Sequence, residues 1–171
     1  MDAYTGTRTP STLPFDLQVL QAYLQQHLPG FEGPLSLEQF KGGQSNPTYR
    51  LTTPGRRYVM RSKPGPVAKL LPSAHAIERE FRVMSALAST EVPVAQMHLL
   101  CEDESVIGRA FYIMEHVDGR VLWEQSLPAL DRAQRGAIYD EMNRVLACLH
   151  SVNPSEIGLA DYGKPGSYFE R

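Results

Sequence analysis

The sequence predicts an α+β fold, and three observations predict it. Three short alternating stretches between residues 35 and 63 sit on connections too brief for a crossover, the pattern of an antiparallel meander. One helical stretch then separates the meander from two further strands, with no regular strand–helix alternation. After Asp118-Gly119 the period becomes helical alone, which marks a second region. Composition narrows the class. The 171 residues are enough to bury a real core. A balance of 17 Lys and Arg against 19 Asp and Glu argues against a general nucleic-acid binder. No apolar run approaches a membrane span, and the polar start lacks a signal-peptide core. Cys101 and Cys148 are too few for a disulfide framework or a zinc ligand set. The expectation is a reduced, cytoplasmic protein with neither a membrane nor a nucleic acid as partner.

Each element has its own signal. Residues 1–14, rich in Thr, Ser, Pro and Gly, predict a mobile tail. From Phe15 to Leu28, Leu17, Leu20, Tyr23, Leu24 and Leu28 recur at helical spacing until Pro29-Gly30 ends the run. Leu35–Phe40, Pro47–Thr53 and Tyr58–Lys63 read as strands, with turns at Gly42-Gly43 and at Thr53-Pro54-Gly55-Arg56. A proline-bearing loop, Pro64–Pro72, precedes Ser73, which can cap a helix over about Ala74–Ser89 striped by Ile77, Phe81, Met84, Leu87 and Ala88. Strands near Val94–Cys101 and Arg109–Val117 flank the acidic turn Glu102-Asp103-Glu104. A long helix over Leu130–His150 carries Ile138, Met142, Val145, Leu146 and Leu149 on one face, and Asn153–Arg171 shows no clear period.

Three features are candidates for chemistry. Lys41-Gly42-Gly43-Gln44-Ser45-Asn46 lies in a hairpin, where glycines let backbone N–H groups approach phosphate oxygens. The same residues also suit an ordinary turn that needs positive φ. Glu80 is the second. At about 100° per residue it falls between Met84 and Leu87, on the edge of the apolar stripe, whereas Glu78 and Arg79 point toward solvent. A carboxylate there needs a cation, and Arg61 and Lys63 both project from one face of the third strand; otherwise it bends out to water. The third is the strand ending at Asp118-Gly119, which reads either as a hinge between lobes or as one more core strand.

Together these stretches resemble the N-lobe of a protein-kinase-like fold, and their wording is similar to the aminoglycoside phosphotransferase family. Its subgroup related to the kinase-like domains fused to acyl-CoA dehydrogenases has similar segments. The segments that carry the resemblance are Gly42-Gly43-Gln44-Ser45-Asn46-Pro47-Thr48-Tyr49, Tyr58-Val59-Met60-Arg61, Leu70 to His75 running on to Arg79-Glu80-Phe81-Arg82-Val83, and Phe111 to Gly119. The resemblance implies a five-stranded antiparallel sheet with one packed helix over residues 15–117. Residues 118–171 would then be a hinge and the truncated start of a helical C-lobe. It implies that Gly42, Gly43, Ser45 and Asn46 cover the phosphates of ATP, and that Arg61 contacts phosphate while pairing with Glu80, with Lys63 as its rival. Met114 would be the gatekeeper beside the adenine, and the carbonyl of Glu115 and the amide of Val117 the hinge contacts. Arg61 stands where the wider kinase pattern has Lys.

The activity implied is ATP-dependent transfer of the γ-phosphoryl group to a hydroxyl of a small molecule, with Mg²⁺ neutralising the phosphates. The family's catalytic loop, a His-Gly-Asp-type motif with an Asn five residues on, and its later metal-binding Asp are expected beyond Arg171. His116-Val117-Asp118 imitates the loop, but Trp123 stands at the Asn position and the segment already belongs to the hinge. Asp161-Tyr162-Gly163 imitates a metal triplet with no catalytic loop before it. Neither a catalytic nor a metal-ligating residue is therefore assigned within the chain, which alone is expected to be inactive. The competing expectation is a non-catalytic module that binds nucleotide or docks to the missing lobe or a partner chain through apolar helix faces such as Ile138, Met142 and Leu149. A third, an unrelated α+β domain, requires Arg61 and Glu80 to lie far apart.

Overall fold

The computed structural model describes residues 6–41, 46–65 and 76–163. In chain order these form β1 (Thr7–Arg8), α1 (Leu17–His27), β2 (Ser36–Phe40), β3 (Thr48–Thr52), β4 (Arg57–Ser62), α2 (Ile77–Leu87), β5 (Met97–Cys101), β6 (Phe111–Glu115) and α3 (Arg132–Ser151). The strands make one antiparallel sheet ordered β1-β2-β3-β4-β6-β5. The α+β class and the meander stand as predicted. The expected Ser73 cap and the segment Leu70–His75 lie outside the described residues.

Residues up to Arg82 together with Ala95–Gly119 form one compact unit, and Val83–Val94 with the residues from Arg120 form another. In the first, strand alternation decides the layers. Tyr49, Leu51, Tyr58, Met60, Phe111 and Ile113 share one face and form a buried cluster with Leu20 and Leu24 of α1 and with Leu28, which caps its end. Tyr112 and Met114, one residue out of phase, meet Ile77 and Phe81 of α2 on the opposite face. The sheet thus carries a helix on each face, not one helix in all, because α1 buries Leu20 and Leu24 completely in the cluster on its own face. Complete burial of Leu20 and Leu24 is worth about 1.5–3 kcal/mol each. Asp16 starts α1 by accepting from Gln18 N at 2.7 Å and Val19 N at 3.4 Å.

The sheet has six strands where five were expected. The sixth, Thr7–Arg8, falls in the stretch read as a mobile tail, and it pairs with Phe40 and Gln39. Thr7 Oγ1 donates to Glu38 Oε1 at 2.8 Å, and Arg8 Nη2 donates to Gln39 Oε1 at 3.2 Å. Two polar residues have no hydrophobic period, so the sequence carried no sign of this pairing. Beside it Arg50 pairs with Glu38, holding that carboxyl below the usual carboxylate range.

In the second unit α3 begins in a capping box: Gln134 N donates to Asp131 Oδ1 at 2.8 Å and Asp131 N to Gln134 Oε1 at 3.1 Å. No described residue of α3 is buried; Met142 is 59% exposed and Leu146 49%, while Ile138 is half-buried. Among the described residues no helix is long and apolar enough to cross a membrane.

Candidate functional site

Register places the first side chains. Thr48 of β3 faces Arg61 of β4, and Arg61 faces Tyr112 of β6, so the three form a row across neighbouring strands. Alternation turns this row to the α2 face, opposite Tyr49, Met60 and Phe111. Glu80 reaches it from the first turn of α2. Its Oε1 accepts from Asn46 Nδ2 at 3.1 Å, and its Oε2 accepts from the Tyr112 hydroxyl at 3.0 Å.

Arg61 Nε lies 2.8 Å from Glu80 Oε2. The N–H is not aimed well enough for a hydrogen bond, so the contact is an ion pair rather than a donor–acceptor bond. Arg61 Nη1 donates to Thr48 Oγ1 at 3.3 Å, and the Thr48 hydroxyl donates to the Asn46 carbonyl at 3.1 Å. A ring closes from Asn46 through Glu80, Arg61 and Thr48 back to Asn46. Burial first, then the negative charge of Glu80, push the Tyr112 hydroxyl well above the ordinary tyrosine range, with Arg61 opposing. Tyr112 therefore stays a neutral donor. The Arg61 and Glu80 side chains remain 30% and 36% exposed, so solvent screening limits the pair to about 1 kcal/mol or less. Its worth is geometric.

The two candidate cations separate. Lys63 Nζ bonds Glu78 Oε1 at 3.1 Å, so Arg61, not Lys63, is the partner of Glu80. Glu78, expected to point to solvent, is half-buried instead, because a lysine is long enough to meet it at the rim of the sheet. Asn46 was placed with the phosphate-covering residues. It is only 3% exposed, and its amide is turned to Glu80. Gly42, Gly43 and Ser45 lie outside the described residues.

Toward the end of β6, Met114 packs with the cluster of Ile77, Ala110 and Tyr112. Glu115 is exposed; its N donates to the Gln96 carbonyl at 2.8 Å, and Gln96 N donates to Glu115 Oε2 at 3.2 Å. Val117 is 64% exposed. Asp118 is held by both terminal nitrogens of Arg57, at 2.9 and 2.5 Å, and His116 Nδ1 lies 3.7 Å from Asp118 Oδ1. Among the described residues no three His, Cys, Asp or Glu side chains are grouped to hold a metal ion.

Tyr112 and Thr48 were not among the predicted site residues. Tyr112 had a usable signal: it alternates with Phe111 and Ile113 and shares a face with Met114. Thr48 had none, because its role depends on pairing with Arg61.

A sheet carrying a strand cation paired to a helix carboxylate, with a strand running out to Asp118-Gly119, is the N-lobe of a kinase-like fold. The chain belongs to the phosphotransferase enzyme family, whose model matches residues 36–171. A crystal structure from Ralstonia eutropha JMP134, of a protein provisionally described as an aminoglycoside phosphotransferase, is 65% identical with a TM-score of 0.79. It covers 91% of this chain and 44% of its own. Acyl-CoA dehydrogenase family member 11 of Mus musculus is 44% identical over 178 residues, 100% of this chain and 23% of the relative. Family member 10 of the same organism is 46% identical over 169 residues, 95% of this chain and 16% of the relative. The chain thus spans about a fifth of these curated relatives and under half of the Ralstonia protein.

Proposed function

We propose that this chain carries the nucleotide-binding lobe of an ATP-dependent phosphotransferase that passes the γ-phosphoryl group to a hydroxyl of a small molecule. The observation that carries the reading is the fixing of Arg61. Glu80 holds its Nε, Thr48 its Nη1, and Nη2 engages no partner among the described residues, which leaves a charged donor for a phosphate oxygen. Gly42, Gly43 and Ser45 would supply further phosphate donors. Met114 would border the adenine, with the Glu115 carbonyl and the Val117 amide as its polar contacts. Mg²⁺ would neutralise the phosphates. The described residues do not fit it as a ligand set, so its ligands would lie elsewhere in the enzyme. Two free thiols, Cys101 and Cys148, suit a cytoplasmic setting.

The test is a thermal melt of the chain with increasing ATP, with and without Mg²⁺. Ligand at a hundred times its Kd stabilises by about 2.7 kcal/mol, enough for a clear rise in Tm. Arg61→Ala is expected to remove most of that rise. A Tm unmoved by saturating nucleotide contradicts the reading. It would favour the second one, a non-catalytic docking module, to which the exposed Met142, Leu146 and Leu149 of α3 lend support.

A further inference from the structure

We infer that Asn46 and Tyr112 are positioning residues that orient Arg61 by holding Glu80 from both sides. The inference rests on the proposed phosphate role of Arg61 only for its functional consequence. A glutamate with one anchored oxygen can turn about its terminal torsions and carry a bound guanidinium with it. Here neither oxygen is loose: Asn46 Nδ2 takes Oε1 and the Tyr112 hydroxyl takes Oε2. The two donors come from different parts of the fold. Tyr112 rises from β6, directly opposite Arg61 in the sheet, and its ring packs against Phe81 of α2 with centroids 6.1 Å apart. Asn46 stands two residues before β3, and its own carbonyl accepts from Thr48, which holds the other end of Arg61.

The arrangement has a mechanical consequence. A phosphate drawn toward Arg61 pulls on Glu80, and the two donors on its oxygens resist that pull. Neither Asn46 nor Tyr112 needs to touch nucleotide for this. Both would act on phosphate-bearing ligands and leave a bare nucleoside unaffected.

The experiment uses the 171-residue chain and two readouts. The first, independent of any ligand, is the NMR order of the Arg61 Nε–H in the wild type, in Tyr112→Phe and in Asn46→Ala. Tyr112→Phe keeps the buried ring and removes only the hydroxyl, so it preserves the fold if Asn46→Ala does not. The second readout is affinity for ATP against adenosine, repeated in a Glu80→Gln background. Loss of Arg61 order is expected in both variants. ATP affinity should fall about three- to tenfold, the scale of one typical net hydrogen bond. Adenosine affinity should not change, and Tyr112→Phe should add little once Glu80→Gln is present. An Arg61 Nε–H as ordered in Tyr112→Phe as in the wild type overturns the inference. Loss of order with unchanged ATP binding, or with no ATP binding in the wild type, upholds the positioning role and overturns the phosphate role of Arg61. Equal losses for ATP and adenosine point to general destabilisation and also overturn the inference.

Discussion

Glu80 was legible as a carboxylate on the edge of a helix stripe that needs a cation. Residue type and period left Arg61, Lys63 or water open as its partner, and only the resemblance named Arg61. The rest of the ring depends on register, which a single sequence does not display, so Thr48 stayed invisible. Glu78 was misread for a different reason. Helical angle predicts where Cβ points, not whether a lysine as long as Lys63 will reach the carboxylate. Two predictions belong at this scale. Arg61→Lys keeps the charge but cannot meet Glu80, Thr48 and a phosphate together, so ATP affinity measured by calorimetry should fall about tenfold. His98 tests a different contact. Its ring stands edge-on to Tyr58, and burial holds the imidazole below the ordinary histidine value, with Glu115 opposing and Arg56 adding to the shift. Its proton is therefore bound more weakly in the folded chain than in the unfolded one. Stability should be complete above the unfolded value, near 6.5, and should decline as pH falls through it toward the lower folded value. Replacing His98 with Gln should flatten that decline in urea melts at pH 5 to 7, although it also removes the ring contact at every pH. An unchanged slope would contradict the assignment.

Elements were legible where a period runs for several residues, and blurred at their ends. The expected helix over Leu130–His150 is Arg132–Ser151, and the strand over Val94–Cys101 shortens to Met97–Cys101. Within the strand that remains, the pairing of β5 with β6 shifts between Met97 and Leu99, and His98 between them stands edge-on to Tyr58. The two-residue β1 is too short to show any period at all. Asp131 offers a clean test of an end: Asp131→Ala should cost about 1 kcal/mol of helix stability, seen as lost helicity at 222 nm on mild heating. For the packing of α1, Leu24→Ala should lower the unfolding free energy by about 2–5 kcal/mol in a urea titration. A loss below 1 kcal/mol would mean that α1 does not cover the sheet as described.

For the whole molecule, the family and the kinase-like lobe were readable from motif order, while the acceptor was not. Under the proposed function the acceptor would be chosen by residues outside a lobe that binds nucleotide, and none of the candidate residues here encodes it. The 171 residues contain no His-Gly-Asp-type loop, so ATP consumption by this chain, followed by phosphate release or ADP formation, should stay at background. More basic is the proposal that the ring around Arg61 holds a phosphate. An equilibrium titration of ATP against the wild-type chain and against Arg61→Ala addresses it directly. A saturable isotherm is expected for the wild type, weakened about tenfold or more in Arg61→Ala, with adenosine affinity equal in both. ATP affinity that is the same in both proteins, or absent from both, would contradict it.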